Sequence, residues 1–145
     1  MVTQYTTRMN IRLARPPTAL SAPRFAEDVA AWVRARFALE LDYSVESLAT
    51  VDALLARMRA EAVPLDDKVG ETLWCLGCYV GEVFVRNANA EWKDAALPEV
   101  ARTTNTVWLA CGEAWVNPIG KVVKRVALGD GEDLPSFYSA YVTAR

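Results

Sequence analysis

The chain has no histidine among its 145 residues. That removes Ser-His-Asp and Cys-His nucleophile arrangements, the usual zinc ligands and the ordinary proton carrier near neutral pH. Cysteine is scarce, and its count of three is odd, so at least one thiol lacks a partner within the chain. The N-terminus has no compact apolar core followed by a small-residue cleavage site, so the expected setting is a reducing cytoplasm. No apolar run approaches the roughly 20 residues that span a bilayer. Even "LWCLGCYVGEVFV" is broken by Glu82. A formal net charge of −2 offers no basic field for nucleic acid. Gly-rich phosphate loops, G-x-S-x-G and H-E-x-x-H are absent, and "GDGED" lacks the ligand spacing of a calcium loop. The expectation is therefore no cofactor, no nucleic-acid partner and no membrane partner.

What is present is the material of a packed domain. Hydrophobic residues make up 52% of the chain, with five Trp, five Tyr and four Phe, and aromatics bury much area per residue. Residues 1–22 read as a basic N-terminal arm: Arg8, Arg12 and Arg15 have no acidic neighbour before the Pro-containing "RPPTALSAP". Residues 23–145 read as a single α+β domain.

Three helices are expected first. One spans about 23 to 40, with Ser21 as its cap and Phe25, Val29, Trp32, Val33 and Phe37 on one face. A second lies in "DYSVESLATVDALLARMRAE", capped by Ser44, with Glu46, Asp52, Arg57 and Arg59 facing outward. A third starts at Asp66 or Asp67 and ends near Arg86. Hairpin strands are expected around 90–117, where "TTNTVWLACGEAWVNP" has β-branched and aromatic content with "CGE" as a turn. "IGKVVKRVAL" reads equally as a short helix or a further strand; as a helix it would present Lys121, Lys124 and Arg125 on one surface. Asp133 and Pro135 open a C-terminal helix whose packing face is Phe137, Tyr138 and Tyr141.

The C-x-x-C of Cys75 and Cys78 is the one motif that suggests chemistry. On a wheel of 100° per residue, Leu73, Leu76, Val80, Val83 and Phe84 form the core face, and Gly70, Gly77 and Gly81 form a narrow stripe beside it. Each Gly costs roughly 1 kcal/mol of helix stability relative to Ala, so three imply close approach of another backbone. Glu71, Cys75, Cys78 and Glu82 share the remaining flank, with Arg86 placed to pair with Glu82. A redox C-x-x-C sits at a helix N-terminus, where free N–H groups lower the thiol pKa. This one lies inside a helix beside carboxylates, which raise it. Structural thiols are the expectation; the alternative is a metal or thiol site formed by Cys75, Cys78 and Cys111 with Glu82.

At "LGCYVGEVFVRNANAEW" the sequence resembles a group of small bacterial domains of unknown function. In these a Gly-x-Tyr-x-Gly-Glu helix is followed by a basic residue and a Trp on a hairpin strand. The matching positions are Gly77, Tyr79, Gly81, Glu82, Arg86 and Trp92. The resemblance implies an α+β domain with its hairpin packed on helices, and no established activity. Tyr79, Glu82, Arg86 and Trp92 are the candidate residues for binding a ligand or partner. The expected function is non-enzymatic binding of a protein partner, a second copy or a small ligand, in a regulatory or immunity-like role. The competing expectation is a small enzyme using Glu82 with Cys75 or Cys78.

Overall fold

A computed structural model of the chain describes residues 16–94 and 107–142. Helices α1 (Ala22–Phe37), α2 (Ser47–Ala60) and α3 (Asp67–Ala88) come first, then strands β1 (Glu91–Asp94), β2 (Val107–Cys111) and β3 (Ala114–Val116). Helix α4 (Pro118–Leu128), a 3₁₀ turn (Asp130–Glu132) and helix α5 (Leu134–Val142) complete the order. The class is α+β, as expected. Two helices follow the sheet: the expected C-terminal one, and the segment 118–128 that the sequence left open between helix and strand.

Residues 1–15 of the expected basic arm lie outside the described residues. From Pro16 the chain forms a turn tied to the domain, because the Ala19 N–H donates to Asp94 Oδ1 at 2.9 Å. Ser21 does not cap α1 with its side chain. Its hydroxyl donates instead to the Pro16 carbonyl at 2.6 Å and accepts the Thr18 N–H at 2.9 Å. Ser44 keeps its expected role, accepting the Ser47 N–H at 3.1 Å, although the regular helix starts at Ser47. Asp66 rather than Asp67 caps α3, through the Val69 N–H at 3.0 Å.

The open choice for 118–128 is settled as helix. Asn117 accepts the Gly120 N–H at 3.0 Å and Pro118 fills the first helical position, where its missing N–H costs nothing. Within α4, Arg125 does not join an exposed basic surface. It is 3% exposed and points inward, pairing with Asp52 at 2.9 Å and Asp130 at 3.2 Å. Asp52 also accepts the Leu134 N–H at 3.0 Å, so one carboxylate of α2 ties α4 to the start of α5. Arg59 faces outward as expected and from there donates to the Val126 and Ala127 carbonyls at the end of α4.

The sheet is antiparallel, in the order β1-β2-β3. Strands β2 and β3 are joined by the two-residue turn Gly112-Glu113, with Gly112 at φ 60°. A turn with Gly at the first central position matches the twist of a hairpin. Alternation along β2 turns Val107, Leu109 and Cys111 into the core and leaves Trp108 and Ala110 on the other face. Helix α3 is the centre of the molecule, with α1 and α4 packed against it. Fourteen of its 22 residues are buried, including all of 75–84. A helix buried on all sides has no solvated flank. The flank carrying Cys75, Cys78 and Glu82 is therefore interior, not boundary.

Candidate functional site

The four residues singled out by the sequence are brought to one end of α3. The Trp92 indole N–H donates to Glu82 Oε2 at 2.9 Å, and the Arg86 Nε–H donates to Glu82 Oε1 at 3.4 Å. Glu82 is 4% exposed, so its charge is held almost wholly by these two donors. A buried carboxylate without partners is costly, and pairing plus hydrogen bonding is what makes it tolerable. Helical spacing of four residues supplies Arg86. The register of β1 supplies Trp92, which pairs with Leu109 and so faces inward.

Gly81 is what lets the indole in. A Cβ there would lie 2.2 Å from Trp92 Cη2, and one on Gly77 would lie 2.5 Å from the Ile119 Cα. The predicted close approach is thus realised at Gly77, by the backbone of α4, and at Gly81, by an aromatic ring. At Gly70 nothing lies within 4 Å, so this third glycine has no packing role.

Tyr79, about one turn before Glu82 on the same face of α3, fastens the α1–α2 loop. Its hydroxyl accepts the Tyr43 N–H at 2.8 Å and shares a 2.7 Å hydrogen bond with Ser47 Oγ. The single hydroxyl proton of Ser47 goes to the Ser44 carbonyl at 2.6 Å, so Tyr79 is the donor to Ser47. Asn87 donates to the Tyr43 carbonyl at 2.9 Å. Both backbone groups of Tyr43 are therefore gripped by side chains of α3, which holds it at φ 65°, a left-handed conformation a bulky residue rarely adopts. Its ring lies 4.8 Å from that of Tyr79, and the Arg86 guanidinium lies 3.5 Å over its face. The Tyr43 hydroxyl is buried with no hydrogen-bond partner among the described residues, and burial raises its pKa. A continuous polar and aromatic chain thus runs from Trp92 through Glu82, Arg86 and Tyr43 to Tyr79. Sequence patterning did not point to Tyr43, Ser47 or Asn87, because their role depends on a loop crossing α3.

A different kind of surface lies where the sheet meets α4 and α5. Trp108 and Trp115 sit on the outward face of the hairpin, and with Lys121, Lys124, Phe137 and Tyr141 they line a cleft of ≈ 670 Å³. Lys121 Nζ is 3.1 Å from Glu132 and 5.3 Å from the Phe137 ring centre. Behind the cleft, Phe84 of α3 packs edge-on against Phe137 and Tyr141, with ring centres 5.6 and 6.4 Å apart. Phe137 and Tyr141 are only half-buried, and Tyr138 takes the inward position of α5. The alternation "VWLAC" with a Trp at an outward position was the signal for this surface; it was read for strand content alone.

Comparison with protein-family models, with curated proteins and with solved structures yields no match. Site assignment in this chain rests on geometry.

The thiols complete the inventory. Cys75, Cys78 and Cys111 are buried and form no disulfide among the described residues. Burial, more than the neighbouring Cys75 and Glu82, drives the Cys78 pKa well above its ordinary value. Among the described residues no group of three or more Cys, Asp or Glu is placed to hold a metal ion. Also among them, no helix is long and apolar enough to cross a membrane.

Proposed function

We propose that the chain is a non-enzymatic binding domain of bacterial, cytosolic type, and that it engages a protein partner through the cleft of Trp108, Trp115, Phe137 and Tyr141. The observation that carries this reading is the contrast in what the aromatic groups are used for. Trp92 is spent on Glu82 and fitted over Gly81. Trp108, Trp115, Phe137 and Tyr141 instead stand half-buried around an open volume beside two lysines. Half-exposed Trp and Tyr grouped in a concavity are the side chains that most often dominate binding energy at interfaces. Three buried cysteines outside any disulfide among the described residues fit a reducing compartment.

A second reading keeps the ligand at Tyr79, Glu82, Arg86 and Trp92. It is favoured by the grouping of these residues and by the left-handed Tyr43 beside them, since strain gathers at functional sites. It requires a ligand to displace the Trp92 or Arg86 contact to a carboxylate that is 4% exposed.

One titration separates the two. The five tryptophans give separate indole N–H signals in a nitrogen-15 spectrum, and a small-fragment library can be screened against them. Shifts confined to Trp108 and Trp115 support the cleft. Shifts at Trp92 without change at Trp108 or Trp115 transfer the site to Glu82.

A further inference from the structure

The polar groups around the cleft are unequal in what they leave open. Two of its acceptors already carry a donor: Glu132 Oε1 takes the Lys121 ammonium at 3.1 Å, and Asn117 Oδ1 takes the Gly120 N–H at 3.0 Å. Donors remain. Lys124 is exposed, and it lies on α4, a helix with three basic residues and no acidic one. The third of these, Arg125, is turned inward and consumed by Asp52 and Asp130. Among the described residues that line the cleft, the cations are therefore Lys121 and Lys124, and the one carboxylate is that of Glu132. Beside Lys124, Val123 is 39% exposed and adds apolar surface to that of the two indoles.

On the reading of the cleft as the binding surface, we propose that its occupant is an acidic peptide segment bearing an aromatic or aliphatic anchor. The anchor lies against Trp108 and Trp115, and carboxylates of the segment meet Lys124 and compete with Glu132 for Lys121. A basic segment would bring further cations to a rim whose carboxylate is already paired, and like-charge contacts of that kind disfavour the wrong partner. A neutral segment could offer the ammonium groups carbonyl acceptors but no opposite charge to offset their desolvation.

The test is a random linear peptide library displayed on phage and panned over the full folded chain, with Trp115→Ala and Lys124→Glu proteins panned in parallel. Circular dichroism first establishes that both variants are folded. The expected result is recovery of peptides combining Asp or Glu with an aromatic or aliphatic residue. These should bind about tenfold more weakly to Lys124→Glu and lose binding to Trp115→Ala, with an affinity that falls as salt rises. Recovered peptides that are neutral or basic, yet still need Trp115, would overturn the acidic occupant while leaving the cleft as the binding surface. Peptides indifferent to Trp115, or none at all, would overturn both. Self-association in sedimentation that Trp115→Ala abolishes would identify a second copy as the occupant and overturn the peptide.

Discussion

The two aromatic and charged regions of this protein use similar residues to opposite ends. At the end of α3, Glu82, Arg86, Trp92, Tyr43 and Tyr79 bond to or stack on one another, and the result is a joint that fixes β1 and the α1–α2 loop to the central helix. At the cleft, Trp108, Trp115, Phe137 and Tyr141 are half-buried and line a concave surface. The difference lies in burial. A charge that is taken out of water must find its partners inside the fold, and having found them it has little capacity left for a ligand. Aromatic side chains carry no such obligation and tolerate half-exposure, so they keep surface available for a partner.

The largest effect is expected where the two regions share a wall. Phe84→Ala removes the ring that backs both the buried end of α3 and the cleft, and should destabilise by about 3–5 kcal/mol. Urea unfolding measures it; a loss below about 1 kcal/mol would mean that α5 docks independently of α3.

Breaking the joint itself comes next. Glu82→Ala leaves the Trp92 indole and the Arg86 guanidinium without their acceptor and should cost about 2–4 kcal/mol. Trp115→Ala, on the cleft, should cost less than about 1.5 kcal/mol by the same measurement. Equal losses would erase the distinction between joint and binding surface.

The glycine stripe sharpens it further. Gly77→Ala and Gly81→Ala should each destabilise by about 1–3 kcal/mol, because the new methyl must displace the Ile119 backbone or the Trp92 ring. Gly70→Ala meets open space and should stabilise by about 0.5–1 kcal/mol through helix propensity. Thermal midpoints of the three variants should therefore move in two directions.

The smallest effects separate two stacked tyrosines. Tyr79→Phe strips a partner from the Tyr43 N–H and from Ser47, at about 1–2 kcal/mol. Tyr43→Phe deletes a buried hydroxyl that has no partner among the described residues, and should be neutral or mildly stabilising. The same burial sets the alkaline limit. Cys78, Tyr43 and Tyr79 all titrate above their ordinary values, burial being the first cause for each. The folded state then holds protons that the unfolded chain releases. This stability is fully present below pH 9.0, the ordinary thiol value. It declines as pH rises through the raised values. Denaturant midpoints between about pH 7 and about pH 10 should fall only in the upper part of that range. A rise there would reverse the sign of the argument.

Local signals carried much of the fold. Apolar spacing predicts three N-terminal helices, Asp66 and Asp133 sit where caps belong, and a glycine between two β-rich runs predicts the hairpin. These depend on neighbours within a few residues, which the sequence displays directly. The pairing of Glu82 with Arg86 was legible for the same reason, as a four-residue helical spacing. The choice of helix for 118–128 was legible too, in Asn117-Pro118, but Gly120 and the valines concealed it.

Other features depend on contacts between distant segments. Arg125 looks like a surface cation until Asp52, 73 residues away, turns it inward. Ser21 looks like a cap until its hydroxyl is drawn back to Pro16. Tyr43 becomes a left-handed staple only because Tyr79 and Asn87 lie beneath it. The sequence by itself determined the type of most segments, though not of 118–128, and that Cys75-x-x-Cys78 lies within a helix, since period and capping are local. Only the tertiary structure decided that this helix is enclosed on every side. That enclosure places Cys75, Cys78 and Glu82 among core residues, whereas the aromatic side chains that line the cleft stay half-buried.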